Sequence, residues 1–410
     1  MNLVDILTER GLVAQSTDPA IRERFERPVT AYIGFDPTAD SLCLHHLVPI
    51  MGMAWLQRCG HKPLALVGGA TALVGDPSGK NEMRKMLTRD DVRRNAAAYT
   101  EQIGRVVRFG DGASDAKLVD NADWLAPMTW IDLLREAGPH FSVNRMLSME
   151  SVKGRLDGGG ISFLEFNYMV MQAYDFLHLH RAHGCTVQMG AQDQWGNIVM
   201  GIELGRRADG AELFGLTFPL LLKSDGSKFG KTEKGAVWLS AEKTPPYEFY
   251  QFLRNTADAD VERFLTTFTF LLIPEIKKLT AGGGQALNGA KEVLAWEVTR
   301  MVHGQAEADK ARDSARRAFS SAHDVSGDAV PHADLAAQEV SAGIAVLDLL
   351  IRSGLAPSKG EARRLIEGGG VSVGETKVIE LQHRVSLGDV VSGRILIRVG
   401  KKRLFRFDVR

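Results

Sequence analysis

The stretch TAYIGFDPTADSLCLHHLVPIMGMAWLQRCGHKPLALVGG, Thr30 to Gly69, carries the decisive signal for the fold. Thr30–Asp36 is a short apolar run that ends in small and polar residues, Leu47–Cys59 is an apolar stretch of helical length, and Pro63–Gly69 is a second short run closed by paired glycines. Short apolar runs bounded by turn residues read as buried strands, and longer ones as helices. Strand, helix, strand in succession predicts parallel strands with a covering helix. The pattern recurs: Cys185–Gly190 and Phe218–Lys223 read as further buried strands, and Phe163–Leu177 as a helix. The expected class is α/β, a parallel sheet covered on both faces, with ligands beyond the carboxyl ends of its strands. After Lys234 the pattern turns helical, through Thr244–Thr256 and Ala290–Gly304. From about Ile344 it reads as two short helices followed by strands.

Composition narrows the function classes. The 410 residues are 44% hydrophobic and 24% charged, which is ordinary for a globular chain and excludes a disordered one. At roughly 100–200 residues per domain, two to four domains are expected. The boundaries are placed at 1–222, 223–322, a linker at 323–340 within the small, polar segment Ser320–Ala337, and 341–410. Cys43, Cys59 and Cys185 are far apart and match no zinc or disulfide spacing, which points to a reducing, cytoplasmic compartment. The opening MNLVDILTERGLV has early acids and no long apolar core, unlike a secretory signal. No apolar run approaches the ~20 residues that span a bilayer. Lys plus Arg and Asp plus Glu both total 50, yet Ser341–Arg410 holds thirteen bases against seven acids. Such a terminal bias suits a polyanion, or else a solvated surface strand.

Three strand ends carry candidate chemistry: Tyr32–Thr38, then Gly68–Thr71 with Gly75–Lys80, then Gly190–Asn197. Glycines there let a backbone approach a ligand, although tight turns would need glycine anyway. On the predicted helix Phe163–Leu177, Tyr168, Gln172 and Asp175 fall at i, i+4 and i+7 on one face. A phenol, an amide and a carboxylate on a largely apolar helix need polar partners. Such a row can grip a zwitterion at one end and a hydroxyl at the other. Lys228-Phe229-Gly230-Lys231-Thr232 is a glycine-hinged loop whose lysines can close over phosphates.

With these residues in view, the sequence resembles the bacterial-type tyrosyl-tRNA synthetases, class I aminoacyl-tRNA synthetases, over essentially its full length. The resemblance rests on YIGFDPTADSL (Tyr32–Leu42), GGATALVGDPSGK (Gly68–Lys80), SFLEFNYMVMQAYDF (Ser162–Phe176), QDQWGN (Gln192–Asn197) and KFGKT (Lys228–Thr232). PSKGEARRLIEGGGVSVGE (Pro357–Glu375) resembles a small RNA-binding module shared with a ribosomal small-subunit protein. The resemblance implies a Rossmann-like catalytic domain, a helical anticodon-binding domain and a small C-terminal α+β RNA-binding module. It implies that Tyr32 and Asp175 bind the phenol of L-tyrosine, that Asp76, Tyr168 and Gln172 hold its ammonium group, and that Gln194 lies nearby. Asp36, Thr71 and Asp193 fall where the family contacts substrate or adenosine. Thr38 and His46 match phosphate contacts, with Cys43 in the same ATP-binding turn. Lys228 and Lys231 match the loop that closes over ATP. Lys359, Arg363, Arg364, Lys401, Lys402 and Arg403 are the expected tRNA contacts. The implied partners are ATP with Mg2+, tRNA(Tyr) and a second copy of the chain, joined through an insertion within about Asp123–Leu156; no resident metal is implied.

The implied chemistry fits the residues. Attack of a carboxylate on the α-phosphate with loss of pyrophosphate needs positioning and charge stabilisation rather than a protein nucleophile. Phenylalanine would leave the phenol-binding groups unpaired, an effect of which this family is itself a standard illustration. The chain departs from the family in Cys43-Leu44-His45-His46, where His-x-Gly-His is usual, and in Ala191-Gln192, where glycine and serine are usual. A thiol is a poorer donor to phosphate than imidazole, and a side chain at position 45 intrudes where adenine approaches the helix. This motivates a competing reading as an RNA-binding or tyrosine-sensing homologue that has lost activation. A dinucleotide-dependent oxidoreductase is disfavoured, because no G-x-G-x-x-G follows the first strand.

Overall fold

The computed structural model describes residues 2–78, 86–157, 159–226, 229–232, 235–320, 330–400 and 403–410. Lys228, Lys401 and Lys402 lie outside the described residues, as do Gly79 and Lys80. The chain divides into two compact units, Met1–Lys243 with Ala259–Ala281 and Thr244–Asp258 with Gly282–Arg410.

The first unit is built on six strands: β1 (Gln15–Ser16), β2 (Thr30–Phe35), β3 (Lys62–Val67), β4 (Lys117–Asp120), β5 (Cys185–Ala191) and β6 (Phe214–Phe218). Their order is β1-β6-β5-β2-β3-β4, parallel throughout except for β1, which pairs antiparallel with β6. Tyr32 on β2 stands opposite Leu64 of β3 and Gln188 of β5. The chain leaves β2 for β3 on one side and reaches β5 on the other. That reversal opens a crevice beyond the carboxyl ends.

One strand differs from expectation. Phe218–Lys223 was the apolar run, yet the strand forms at Phe214–Phe218, where every residue is buried. Pro219 follows and has no N–H for the ladder, and Leu220 and Leu222 are exposed. Pairing with β5, rather than apolar content, decides the strand.

Two helices position the site. A 3-10 turn, Leu44–His46, runs into the helix Leu47–Arg58. Pro49 is tolerated in its first turn because the N–H there has no intrahelical acceptor. The second helix, Phe163–His183, is longer than the expected Phe163–Leu177. The Ser162 side chain accepts the Glu165 N–H, the Glu165 carboxylate accepts the Ser162 N–H, and Gly184 ends the helix in the left-handed conformation. Glu165 also accepts two hydrogen bonds from buried Arg155, at 2.8 and 3.1 Å. Glu165→Gln leaves that guanidinium buried without a counter-charge and should destabilise the fold by roughly 3–5 kcal/mol. A urea midpoint equal to the parent's would show that the pair carries no net stability.

In the second unit the helices Pro246–Arg254, Leu287–His303 and Gln305–Ser320 pack together. The C-terminal module sets two helices, Val346–Arg352 and Lys359–Glu367, with a five-stranded sheet of order Thr376–Val378, Val371–Val373, Arg394–Val399, Arg403–Val409, His332–Leu335. Leu349, Leu350, Ile366, Ile395, Ile397 and Phe407 form its core. His332–Leu335 falls inside the segment expected as linker, because its partner strand, Arg403–Val409, lies far downstream. No helix among the described residues is long and apolar enough to cross a membrane.

Candidate active site

The paired glycines after β3 answer to neighbouring carboxylates. A Cβ at Gly68 would lie 1.9 Å from Asp36 Oδ1, and one at Gly69 would lie 2.2 Å from Asp120 Oδ1. The Gly69 N–H donates to that same Asp120 oxygen at 3.0 Å. The glycines thus let the ends of β2 and β4 press against this turn, bringing Asp36, Thr71 and Asp120 together.

From there one hydrogen-bond network runs along the crevice. Thr71 Oγ1 and the Tyr168 hydroxyl both donate to Asp36, each at 2.8 Å. Asn121 Nδ2 donates to Thr71 Oγ1 at 2.9 Å and to Asp175 Oδ2 at 3.0 Å. Trp124 Nε1 donates to the other Asp175 oxygen at 2.8 Å. A second cluster surrounds Asp76, which accepts from Gln194 Nε2 at 2.7 Å and from the Ser78 N–H at 2.9 Å. Asn197 Nδ2 ties Gln172 Oε1 to Gln194 Oε1, at 2.9 and 3.2 Å. Tyr168, Gln172 and Asp175 are on the helix Phe163–His183, as their spacing predicts.

Burial governs the electrostatics. Tyr32 is 1% exposed, lies edge-on to Phe176, and its hydroxyl has no hydrogen-bond partner among the described residues. Burial, then the charge of Asp175, raises its pKa well above the usual phenol value. Tyr168 is raised in the same way, by burial first and then by Asp36 and Asp76. Burial pushes the Asp175 carboxyl up to about 8, against the pull of the Asn121 and Trp124 donors. The unfolded chain releases this proton near pH 4, whereas the folded chain keeps it until about 8, so the contribution is present below about pH 4 and lost as the pH rises towards 8. Asp175→Asn stays neutral. Between about pH 5 and pH 8 the parent should therefore lose stability relative to the variant, and parallel denaturation profiles would contradict the shift.

The remaining predicted residues gather at the ends of β2 and β5. The Thr38 N–H donates to the Asp36 carbonyl at 2.8 Å, and Asp193 sits in the 3-10 turn Gln192–Gln194 after β5. His46 Nδ1 accepts from the Cys43 N–H at 3.0 Å. The Leu44 N–H reaches the Val237 carbonyl and the Val237 N–H reaches that of Gly230, both at 2.8 Å. The backbone at Gly230 therefore runs beside this turn. Gly230 has φ +79°, and its Cβ position is 3.5 Å from the His45 nitrogen. Phe229 anchors the loop between Phe264 and Phe268, with ring centroids at 4.4 and 5.3 Å. The Lys231 backbone lies in a two-residue strand paired with Gly235–Ala236.

Asp120, Asn121, Trp124 and Asn197 had no assigned role in the sequence reading. Asp120 ends β4, and Asn121 and Trp124 follow it; the strand has four residues, two of them exposed, and leaves almost no periodic signal. In the C-terminal module Lys359, Arg363 and Arg364 are exposed along one helix, and Arg364 pairs with Glu361 at 2.6 Å. Arg403 is exposed and donates to the Leu355 carbonyl. Arg406, by contrast, is 2% exposed and pairs with Asp408, which also meets Arg394. Arg410 pairs with Asp334. Part of the basic tail is thus internally neutralised.

A family model described as class I tRNA synthetases (W and Y) matches residues 23–320. The chain belongs to the class I tRNA synthetases. Residues 324–407 of this synthetase match a model described as the tyrosine–tRNA ligase SYY-like C-terminal domain. The synthetase is 48% identical over 407 residues to the tyrosine–tRNA ligase of Acetivibrio thermocellus, covering 99% of this chain and 98% of that one. It is 47% identical over 401 residues to the tyrosine–tRNA ligase of Rhizobium meliloti, covering 97% and 96%. Its fold resembles that of a C-terminally truncated mitochondrial tyrosyl-tRNA synthetase of Aspergillus nidulans, with TM-score 0.70 and 32% identity over 78% of this chain and 94% of that one.

Proposed function

We propose that this synthetase activates L-tyrosine with ATP and then transfers the tyrosyl group to the 3' end of tRNA(Tyr). The observation that carries this is the buried Tyr32 hydroxyl, without a partner among the described residues and within reach of the Asp175 charge. A buried hydroxyl is costly until it is paired, and a substrate phenol pairs it. Tyr32 and Asp175 receive that phenol. Asp76, Tyr168, Gln172 and Gln194 hold the ammonium group. The substrate carboxylate is thereby aimed at the nucleotide side, where Asp36, Thr38, Cys43, His46, Thr71 and Asp193 stand. A carboxylate oxygen bonds to the α-phosphorus and the bond to pyrophosphate breaks. A ribose hydroxyl of the tRNA then attacks the carbonyl carbon and AMP leaves. Lys228 and Lys231 stabilise the charge that builds on the phosphates.

Mg2+ seeks oxygen ligands and keeps much of its water. The group of three grouped metal donors found among the described residues is Cys43, His45 and His46, a nitrogen–sulfur set that does not fit it. Mg2+ is therefore proposed to arrive on the ATP phosphates.

Tyrosine-dependent exchange of labelled pyrophosphate into ATP tests the activity. A flat exchange curve favours instead the RNA-binding or tyrosine-sensing homologue that the altered Cys43–His46 turn motivates.

The domains 1–222, 223–322 and 341–410 are proposed to activate tyrosine, read the anticodon and grip tRNA phosphates in turn. In the third, the exposed Lys359, Arg363, Arg364 and Arg403, with Lys401 and Lys402, supply the charge. A cytoplasmic location goes with tRNA charging. A homodimer is also proposed, through the insertion within about 123–156. Trp130, Ile131, Val143, Leu156 and Phe163 are all exposed there or at its edge, an apolar set that monomers normally cover. Sedimentation at micromolar concentration should give twice the chain mass, and a strict monomer would contradict it.

A further inference from the structure

We propose that Cys43, His45 and His46 form a binding site for a thiophilic divalent cation such as Zn2+, built on the turn that enters the helix Leu47–Arg58. One thiol sulfur and one ring nitrogen from each histidine lie within 4.8 Å of one another. Tetrahedral zinc with bonds of ~2.0–2.3 Å holds such atoms roughly 3.3–3.7 Å apart, so small side-chain rotations close the set. The base beneath them is fixed. Leu44 is wholly buried, its N–H is held by the Val237 carbonyl, and the Leu239 N–H is held by the Leu42 carbonyl. The two imidazoles lie with centroids 4.1 Å apart, and exposed His45 gives an ion access from solvent. His46 Nδ1 is 3.3 Å from the Cys43 carbonyl. Coordination through Nε2 makes Nδ1 give up the Cys43 N–H and turn an Nδ1–H to that oxygen instead, the outer hydrogen bond that metal-bound histidines commonly make.

The donor set argues for the ion class. Sulfur with two imidazoles suits zinc and cobalt(II) rather than magnesium or calcium. Three protein ligands leave a fourth position for water or another oxygen ligand. Neither other cysteine offers an alternative. Burial pushes the Cys185 thiol up to about 12 and also raises that of Cys59. Counting cysteine spacing alone misses the site, because two of its three ligands are histidines on the same turn. If the proposed activity holds, the ion sits on ground assigned to ATP phosphates, so ion and nucleotide influence each other's binding. That consequence rests on the proposed function; the site itself does not.

The test is titration of reduced, metal-stripped, full-length protein with Co2+, followed optically. One equivalent should bind with an intense sulfur-to-cobalt charge-transfer band in the near ultraviolet, and Zn2+ should abolish the band by displacement. Cys43→Ser should remove the band, and His45→Ala should weaken cobalt binding roughly 100-fold or more, at least the upper end of what an outer partner costs. Absence of the band at saturating Co2+, its survival in Cys43→Ser, or unchanged affinity in His45→Ala would overturn the proposal. Pyrophosphate exchange by the metal-free protein is read separately: its failure counts against the activity and leaves the cobalt result to decide the site.

Discussion

Asp175→Asn will lower kcat/KM for tyrosine in pyrophosphate exchange by roughly 100-fold or more, with KM for ATP nearly unchanged. Asp175 accepts N–H donors on both oxygens, from Trp124 and from Asn121. An amide of the same shape must turn its NH2 towards one of those donors. It also loses the carboxylate that would meet the substrate phenol beside Tyr32. A net hydrogen bond contributes ~0.5–1.5 kcal/mol, and leaving a buried polar group unsatisfied adds ~1–3 kcal/mol to the loss. Each 1.36 kcal/mol is about tenfold in rate. Near pH 4 stability should change far less, since there the buried carboxyl of the parent and the amide of the variant are both uncharged. An equal loss in the use of ATP and of tyrosine would show that Asp175 holds the crevice together rather than selecting the phenol.

Lys231→Ala should lower kcat for activation by roughly 100- to 1000-fold, the range seen when one preorganised donor to developing charge is removed. KM for tyrosine should stay near the parent value. The loop is pinned at Phe229 by Phe264 and Phe268, and Gly230 lies against the turn that carries His45 and His46. The proposed role of Lys231 at the ATP phosphates, and of Tyr32 at the phenol, separates the two effects. If single-turnover kinetics showed tyrosine affinity falling in step with the rate, the loop would be part of the amino-acid pocket and the assignment to phosphate would fail.

Much of the site was legible because its residues repeat with local periods. Tyr168, Gln172 and Asp175 share a helical face, and hydrophobic runs mark β2, β3 and β5. The misses share a cause. The strand at Phe214–Phe218 is chosen by pairing with β5, and His332–Leu335 by pairing with Arg403–Val409. Arg406 looks like surface charge in the sequence, yet it is buried against Asp408.

The amino-acid order alone determined the parallel α/β layout, the helical row of phenol, amide and carboxylate, and the family resemblance. These depend on side-chain alternation and spacing within a few turns of chain. Only the tertiary structure decided that Asn121 and Trp124 hold Asp175, that Gly68 and Gly69 make room for two carboxylates, and that Tyr32 is buried within reach of the Asp175 charge. Hydrogen-bond partners and desolvation are set by groups that are distant in sequence and meet only when the strands pair.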